Sequence, residues 1–309
     1  MQNTIINDDN VNVMKNISDC FVDLVITSPP YADLREYGGH SWDFQSVASE
    51  LTRILKPGGV IVWVVADKTE NGSETGTSMR QALFFLDNCK LNLHDTMIYQ
   101  KAGCQFPETT RYYPVWEYMF VFSKGKPKAI NLIADHKNNW YGQKTARLHS
   151  NRQKNGLVIE NSSYRIAPNR EIKEYGIRDN IWKYSIGRGN TTTDNYAFEH
   201  PAMFPYKLAC DHVLSWSNPK DIVLDPFAGS GTVLKAAKEL NRKYIGIEIN
   251  PKYFEICKIR VSQEVLQFES QEPASMPEEV SQKENIECVQ NQRTTPALCN
   301  ADNTMELEL

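Results

Sequence analysis

Residues 221–240 read "DIVLDPFAGSGTVLKAAKEL". The pattern is a strand, a small-residue loop and a helix, with Ala228-Gly229-Ser230-Gly231 as the loop. Glycines there let a ligand approach the backbone, and the first turn of the helix presents free N–H groups. The next stretch, "RKYIGIEINPKYFEICKIRV" (242–261), adds a second strand and helix. Glu248 closes that strand, seventeen residues after Gly231. An acid at the tip of the second strand is where a nucleotide ribose offers its hydroxyls. The arrangement suits a dinucleotide or S-adenosylmethionine. A dinucleotide fingerprint wants a third glycine where Leu234 stands, and no Gly-Lys-Ser/Thr follows to make a P-loop.

Upstream, residues 1–125 alternate in the same way. "FVDLVI" (21–26) is a strand, and "FQSVASELTRIL" (44–55) has apolar positions at helical spacing. "KPGG" (56–59) stops that helix before the strand "VIVWVV" (60–65). A helix over 78–89 and strands over 93–101 and 116–124 complete the series. The alternation predicts an α/β fold with a mainly parallel sheet. From about Gly125 to Tyr196 the periodicity fades into a polar, basic segment rich in Asn, Tyr and Trp. It reads as an insertion dedicated to binding. Order returns with a helix in "HPAMFPYKLACDHVLSWS" (200–217). Beyond about Glu269 the chain is rich in Glu, Gln, Asn and Pro, with few large apolar residues, and is expected to be disordered.

The net charge of −4 is unevenly distributed. From Glu269 onward, nine acidic side chains face two basic ones, a net of −7, so the first 268 residues carry +3. Between Lys124 and Asn190, fourteen Lys or Arg stand against five Asp or Glu. A basic block in a near-neutral body is the pattern of a polyanion-binding surface. The longest apolar run, "VIVWVVA" (60–66), is too short to span a bilayer, and "MQNTIINDDN" lacks the order of a secretory leader. Seven cysteines, none in a C-x-x-C pair, point to a reducing, cytoplasmic setting without a disulfide framework or zinc site.

The strand 21–26 runs into "ITSPPY" (26–31). Two prolines cannot continue a central strand, since neither offers an N–H to the ladder. With these residues in view, the sequence resembles the amino-group DNA methyltransferases that use S-adenosylmethionine, in their beta arrangement. "TSPPY" is similar to their catalytic motif (D/N/S)-P-P-(Y/F/W), "DPFAGSGT" to their cofactor loop, and "HPAMFPYKL" to the element before it. The order of catalytic motif, variable region and cofactor loop is that of the beta class. The resemblance covers about residues 4–261 and implies a Rossmann-like methyltransferase sheet with helices on both faces. It also implies that a base flipped out of duplex DNA enters this pocket. Its amino group would be held by Ser28 and by the carbonyl between Pro29 and Pro30, with Tyr31 stacked on the ring.

The other roles carry over position by position. The family's Gly-Asp-Cys is replaced by Asp8-Asp9-Asn10, which leaves Asp9 to bind the adenine amino group of the cofactor. Asp225, Phe227, Gly229, Gly231 and Thr232 would shape the cofactor loop, Glu248 would bind the ribose, and His200 and Pro201 belong to the preceding element. "LREYGG" (34–39) resembles a segment that closes over the substrate. The chain then divides into a catalytic half (1–125), a target-recognition region (126–196), a cofactor-binding half (197–268) and an acidic tail (269–309). In the recognition region Lys144, Arg147, Arg152, Arg165, Arg170 and Arg188 are candidates for contacts to double-stranded DNA. Trp140, Tyr141 and Tyr164 are candidates to fill the gap left by a flipped base. A cognate restriction endonuclease and a homodimer are partners the resemblance leaves open. Ser at position 28 is commoner among cytosine-N4 enzymes, whereas Asp or Asn is commoner among adenine-N6 enzymes, so cytosine N4 is the expected target and adenine N6 the alternative. More distant alternatives are RNA or protein methylation and an inactive DNA-binding relative.

The tail has too little apolar surface to offset its ordering entropy. A chain ending near Gln267 is expected to melt cooperatively and to keep its activity. Loss of the cooperative transition, or of most activity, contradicts this reading.

Overall fold

The run Val22–Thr27 is buried along its whole length, as a strand covered on both faces must be. Its one carboxylate, Asp23, is satisfied by Lys56 Nζ at 2.6 Å and by the backbone N–H of Ile222 at 3.0 Å. That second bond ties the start of this strand to the strand that precedes the glycine loop. The computed structural model describes residues 2–30, 42–103, 109–143, 151–152, 158–159, 171–187, 189–200 and 203–263. Met1–Val265 forms one unit, and the tail beyond it lies outside the described residues.

The main sheet has eight strands: β1 (Thr4–Ile6), β2 (Val22–Thr27), β3 (Leu55–Val65), β4 (Asn92–Ala102), β5 (Trp116–Ser123), β6 (Ile181–Ser185), β7 (Ile222–Asp225) and β8 (Lys243–Ile247). Their order is β1-β8-β7-β2-β3-β5-β4-β6. Only β5 runs against the others. The helices are α1 (Asn10–Lys15), α2 (Phe44–Ile54), α3 (Thr77–Asp87), α4 (Tyr206–Trp216), α5 (Thr232–Glu239) and α6 (Pro251–Ser262). Alternate residues of β3 separate the two cores. Ile61, Trp63 and Val65 face α1 to α3, while Val60, Val62 and Val64 face α4 and α5.

The helix over 44–55 forms as its spacing predicts. Asp43 caps it, accepting from Gln45 N at 3.1 Å and Ser46 N at 3.3 Å, and Val47, Ala48, Leu51 and Ile54 make the buried stripe. The KPGG segment does end this helix, but it does not stand apart from the following strand. β3 already begins at Leu55, paired with Val22, and pairing resumes at Val60 with Leu24. The residues between bulge out of register, turning at Gly58 with φ of +78°. Among the elements that escaped the sequence pattern are the three-residue β1 at the sheet edge and the six-residue α1.

Within 126–196, Ile181–Ser185 pairs parallel to β4 and so belongs to the main sheet. Some of the positive charge between Lys124 and Asn190 serves the fold. Lys124 Nζ caps α2 through Thr52 O at 2.8 Å and Leu55 O at 2.9 Å. Arg178 binds Asp135 and Asp211 while lying 5.0 Å over the Trp182 ring. Among the described residues, no helix is long and apolar enough to cross a membrane.

Candidate active site

Strand order decides where a ligand can bind. From β7 the chain passes through α5 to β8 on one side, and from β2 through α2 to β3 on the other. The crevice therefore opens beyond the carboxyl ends of β2 and β7, at the point where the winding reverses. The two ends are joined directly. Thr27 Oγ1, closing β2, donates to Asp225 Oδ1, closing β7, at 2.7 Å. Phe227 N donates to the same oxygen at 3.1 Å. Both side chains of the Thr27–Asp225 pair are buried. Burial pushes the Asp225 carboxyl up to about 7; the Thr27 and Phe227 bonds oppose the rise, and the nearby Glu248 charge adds to it.

Around this bond lies a cavity of about 470 Å³. On the β7 side, Gly231 caps α5 with φ of +78°. A Cβ at Gly231 would come within 2.6 Å of Cys257 Sγ, and one at Gly229 within 2.8 Å of His200 Nε2. The loop thus needs both its left-handed turns and its missing side chains. Glu248 sits across it, accepting from Gly229 N at 2.7 Å and Asn250 N at 2.9 Å. An acid at the tip of this strand is placed where a nucleotide ribose offers its hydroxyls. Phe227, Trp42 and Tyr253 supply aromatic wall; Trp42 packs edge-on to Phe227 at 5.0 Å, and His200 on Tyr253 at 4.5 Å. On the β2 side the same cavity reaches Ser28 and Pro30, and beyond them Tyr99, Lys101 and Glu117.

Residues 22–259 match the family described as DNA methylase, N6_N4_Mtase. The chain belongs to this DNA methylase family. It is 53% identical over 253 residues to an orphan methyltransferase, M.BamHII, of Bacillus amyloliquefaciens, a match covering 82% of this chain and 93% of that protein. Its fold is similar to that of a PvuII DNA methyltransferase described as cytosine-N4-specific, with a TM-score of 0.59 at 20% identity over 84% of this chain and 86% of that one. It is also similar to a putative DNA modification methylase from Thermus thermophilus, solved with S-adenosyl-L-methionine. There the TM-score is 0.53 at 25% identity, covering 85% of this chain and 96% of that one.

The methylase cavity fits an adenosyl sulfonium. Asp8, Asp9 and Glu248 make its β7 and α1 side acidic, which suits a ligand carrying a sulfonium and an ammonium. Of the residues expected from the sequence, Ser28, Pro30, Asp9, His200, Asp225, Phe227, Gly229, Thr232 and Glu248 all line this one cavity. Pro29 is buried and does not line it. Asp9 also caps α1 through Asn12 N at 3.0 Å, and its neighbour Asn10 binds Pro226 O at 3.2 Å, fastening α1 to the glycine loop. The Thr232 hydroxyl accepts from Arg260 Nη1 at 2.7 Å, so it braces the loop as well as lining the site. Tyr31, Pro201, Lys144, Arg147, Arg165, Arg170, Arg188, Tyr164 and the segment 34–39 lie outside the described residues. Arg152 belongs to the short strand Asn151–Arg152, antiparallel to Val158–Ile159. Trp140 and Tyr141 are exposed.

Arg260 was not anticipated. Its buried guanidinium donates to Asp194 Oδ2, Thr192 Oγ1, Thr232 Oγ1 and Ser230, locking the stretch before α4 against the glycine loop. The clue was an arginine on the same helical face as Ile256, Cys257 and Val261. Lys101 and Glu117 were missed because they stand on different strands, and only the register β4–β5 brings them together.

Two outcomes follow from this geometry. Replacing Glu248 with Ala removes a charged acceptor and unties Gly229, so S-adenosylmethionine affinity measured by calorimetry is expected to fall about tenfold or more; unchanged affinity contradicts the assignment. For Asp225, the folded carboxyl holds its proton to about pH 7, well above the unfolded value near 3.8. The folded state therefore binds more protons in this window, and the stabilisation it gives below about pH 4 is lost as pH rises to about 7. The Tm of Asp225→Asn relative to the parent chain should accordingly increase from pH 5 to pH 7.5, whereas a constant difference contradicts the raised value.

Proposed function

We propose that this DNA methylase transfers a methyl group from S-adenosylmethionine to the exocyclic N4 of a cytosine flipped out of duplex DNA. The observation that carries the reading is Ser28, half-buried in the same cavity as the glycine loop and one residue beyond the Thr27–Asp225 bond. Bound S-adenosylmethionine supplies the methyl group as an electrophile on a sulfonium. The chain's part is to present a nitrogen to it. An exocyclic amino group is a poor nucleophile, because its lone pair is delocalised into the ring. Two acceptors on its N–H groups, the Ser28 hydroxyl and the carbonyl of Pro29, favour a geometry in which that lone pair is free to attack. Prolines at 29 and 30 fix the backbone angle of those acceptors and bring no N–H to compete for them. No nucleophilic side chain is required. The site's carboxylates favour a cationic donor over its neutral product, which assists exchange after transfer.

The family name covers both adenine N6 and cytosine N4. Ser28 supports cytosine because serine at this place is commoner among cytosine-N4 enzymes and Asp or Asn among adenine-N6 enzymes, a tendency that its shorter, weaker acceptor fits. The roles of Tyr31 in stacking and of Lys144, Arg147, Arg152, Arg165, Arg170 and Arg188 in holding DNA belong to the same proposal. So does the division into two methyltransferase halves around a recognition region. Duplex DNA is the partner; pull-down and sedimentation would reveal a restriction endonuclease or a second copy.

The test is nucleoside mass spectrometry on DNA methylated in vitro. Label in deoxycytidine is expected, and label confined to deoxyadenosine overturns the cytosine assignment. Ser28→Ala should cut kcat at least tenfold, about 1.4 kcal/mol of barrier, while cofactor affinity stays within about twofold. Loss of cofactor binding instead would place Ser28 on the wrong ligand.

A further inference from the structure

Three features stand outside the cofactor loop. The exposed Met79 and Leu83 on α3 form an apolar pair with nothing to say what covers it. The His212 ring is buried against Trp182 and Met119, deep in the core and away from the cavity. The third feature is the far wall of the cavity, where Lys101 and Glu117 meet.

Lys101 stands near the carboxyl end of β4 and Glu117 near the start of the antiparallel β5, so both project at the edge where the crevice opens. Their side chains form a salt bridge at 2.6 Å, with 23% and 12% of the side-chain surface exposed. A pair this buried favours one geometry, since separating two partly desolvated charges is costly. Both residues line the cavity, as does the buried phenol of Tyr99, whose pKa is raised by burial and by the Glu117 charge.

Lys101 is the one lysine or arginine among the described residues that line this cavity, where Asp8, Asp9, Glu117 and Glu248 stand beside Asp225 with its raised pKa. Its position fits that asymmetry. A cation beside the cofactor would repel a sulfonium, and β4 lies four strands from β7. From β2, which leads into Ser28, β4 is three strands away. At 4.7–4.9 Å per strand this is roughly 14 Å between backbones. A lysine side chain and a pyrimidine ring, with a hydrogen bond at each end, fill such a gap. The ammonium has three donors, so the bond to Glu117 does not exhaust it.

Taking the proposed reaction as its basis, we infer that Lys101 is a specificity-determining residue that donates a hydrogen bond to the O2 carbonyl of the flipped cytosine, with Glu117 holding the ammonium in place. Ser28 and the Pro29 carbonyl take the amino end of the base, and Lys101 takes the opposite end. Cytosine offers a carbonyl acceptor there. Adenine, held by its N6 amino group, offers a C–H beyond N1 and leaves the donor that Glu117 does not use facing carbon. A site built to pair with a polar group rejects an analogue that lacks it, because a buried donor then goes without an acceptor.

The test removes the acceptor from the substrate. Initial rates are measured on a duplex carrying the recognition sequence found by methylation-sensitive sequencing. A second duplex has the target cytosine replaced by a 2-aminopyridine C-nucleoside, which keeps the amino group and ring nitrogen but lacks O2. The parent enzyme is expected to lose at least tenfold in kcat/KM on the second duplex. Lys101→Met should lose a similar factor on cytosine, show no more than about twofold preference between the duplexes, and bind S-adenosylmethionine as the parent does. A parent enzyme indifferent to the missing oxygen overturns the inference, and this arm needs no variant. A Lys101→Met enzyme that still discriminates tenfold also overturns it. Should Lys101→Met melt without cooperativity, Lys101→Met combined with Glu117→Gln, which removes both charges together, carries the same comparison. Methylation of deoxyadenosine alone by the parent enzyme would overturn the cytosine reading and this inference with it, whereas an undiminished rate on the second duplex with cytosine still methylated defeats only the role of Lys101.

Discussion

The hydrogen bond from Thr27 to Asp225 is the constraint on which the site depends. It joins two motifs nearly two hundred residues apart at the place where the sheet reverses its winding. On one side the chain leaves β2 into Ser28 and the paired prolines. On the other it leaves β7 into the glycine loop. Methyl transfer needs donor and acceptor aligned within a few tenths of an ångström, and two loops positioned independently would not achieve that. A single buried bond between neighbouring strand ends fixes their relative height. Asp225 also receives Phe227 N, so the carboxylate that faces the catalytic strand sets the first turn of the cofactor loop as well.

A second layer of contacts makes that loop rigid. Glu248 grips Gly229 from the tip of β8, Asn10 holds the Pro226 carbonyl from α1, and Arg260 binds Ser230 and Thr232 from α6. Three elements from both ends of the chain thus converge on one short loop. The charges are sorted to match. Carboxylates gather where a cationic cofactor would lie, and Lys101 stands on the far side of the catalytic motif. Part of the basic block between 124 and 190 belongs to the scaffold, as Lys124 and Arg178 show, so the electrostatic surface for DNA is smaller than the raw composition implies.

Much of this was legible in the sequence because it rests on local chemistry. The glycine loop reads as a turn that excludes side chains, and Gly229 and Gly231 prove to be spaces that His200 and Cys257 already occupy. Glu248 was placed by its distance from that loop, and its bond to Gly229 N ties it there. The rest was hidden for a common reason. β1 is three residues long, β6 lies in a polar stretch, and neither has enough repeats for its periodicity to stand out. The Lys56–Gly59 bulge reads locally as a helix stop, and only the pairing with β2 shows that it lies inside a strand. Thr27 looked like the last residue of an apolar run, and its partner is defined by sheet order alone. Lys101 and Glu117 are ordinary strand charges until the register sets them side by side.

The claim that one buried bond couples the two halves of the site is open to a double-mutant cycle on Thr27→Val and Asp225→Asn, read by calorimetric affinity for S-adenosylmethionine. Each single change is expected to weaken binding, and the double variant to be little worse than either. That corresponds to a coupling energy of about 0.5–3 kcal/mol, the range found for groups in direct contact. Effects that simply add would mean that the strand ends are positioned independently, and would contradict the account.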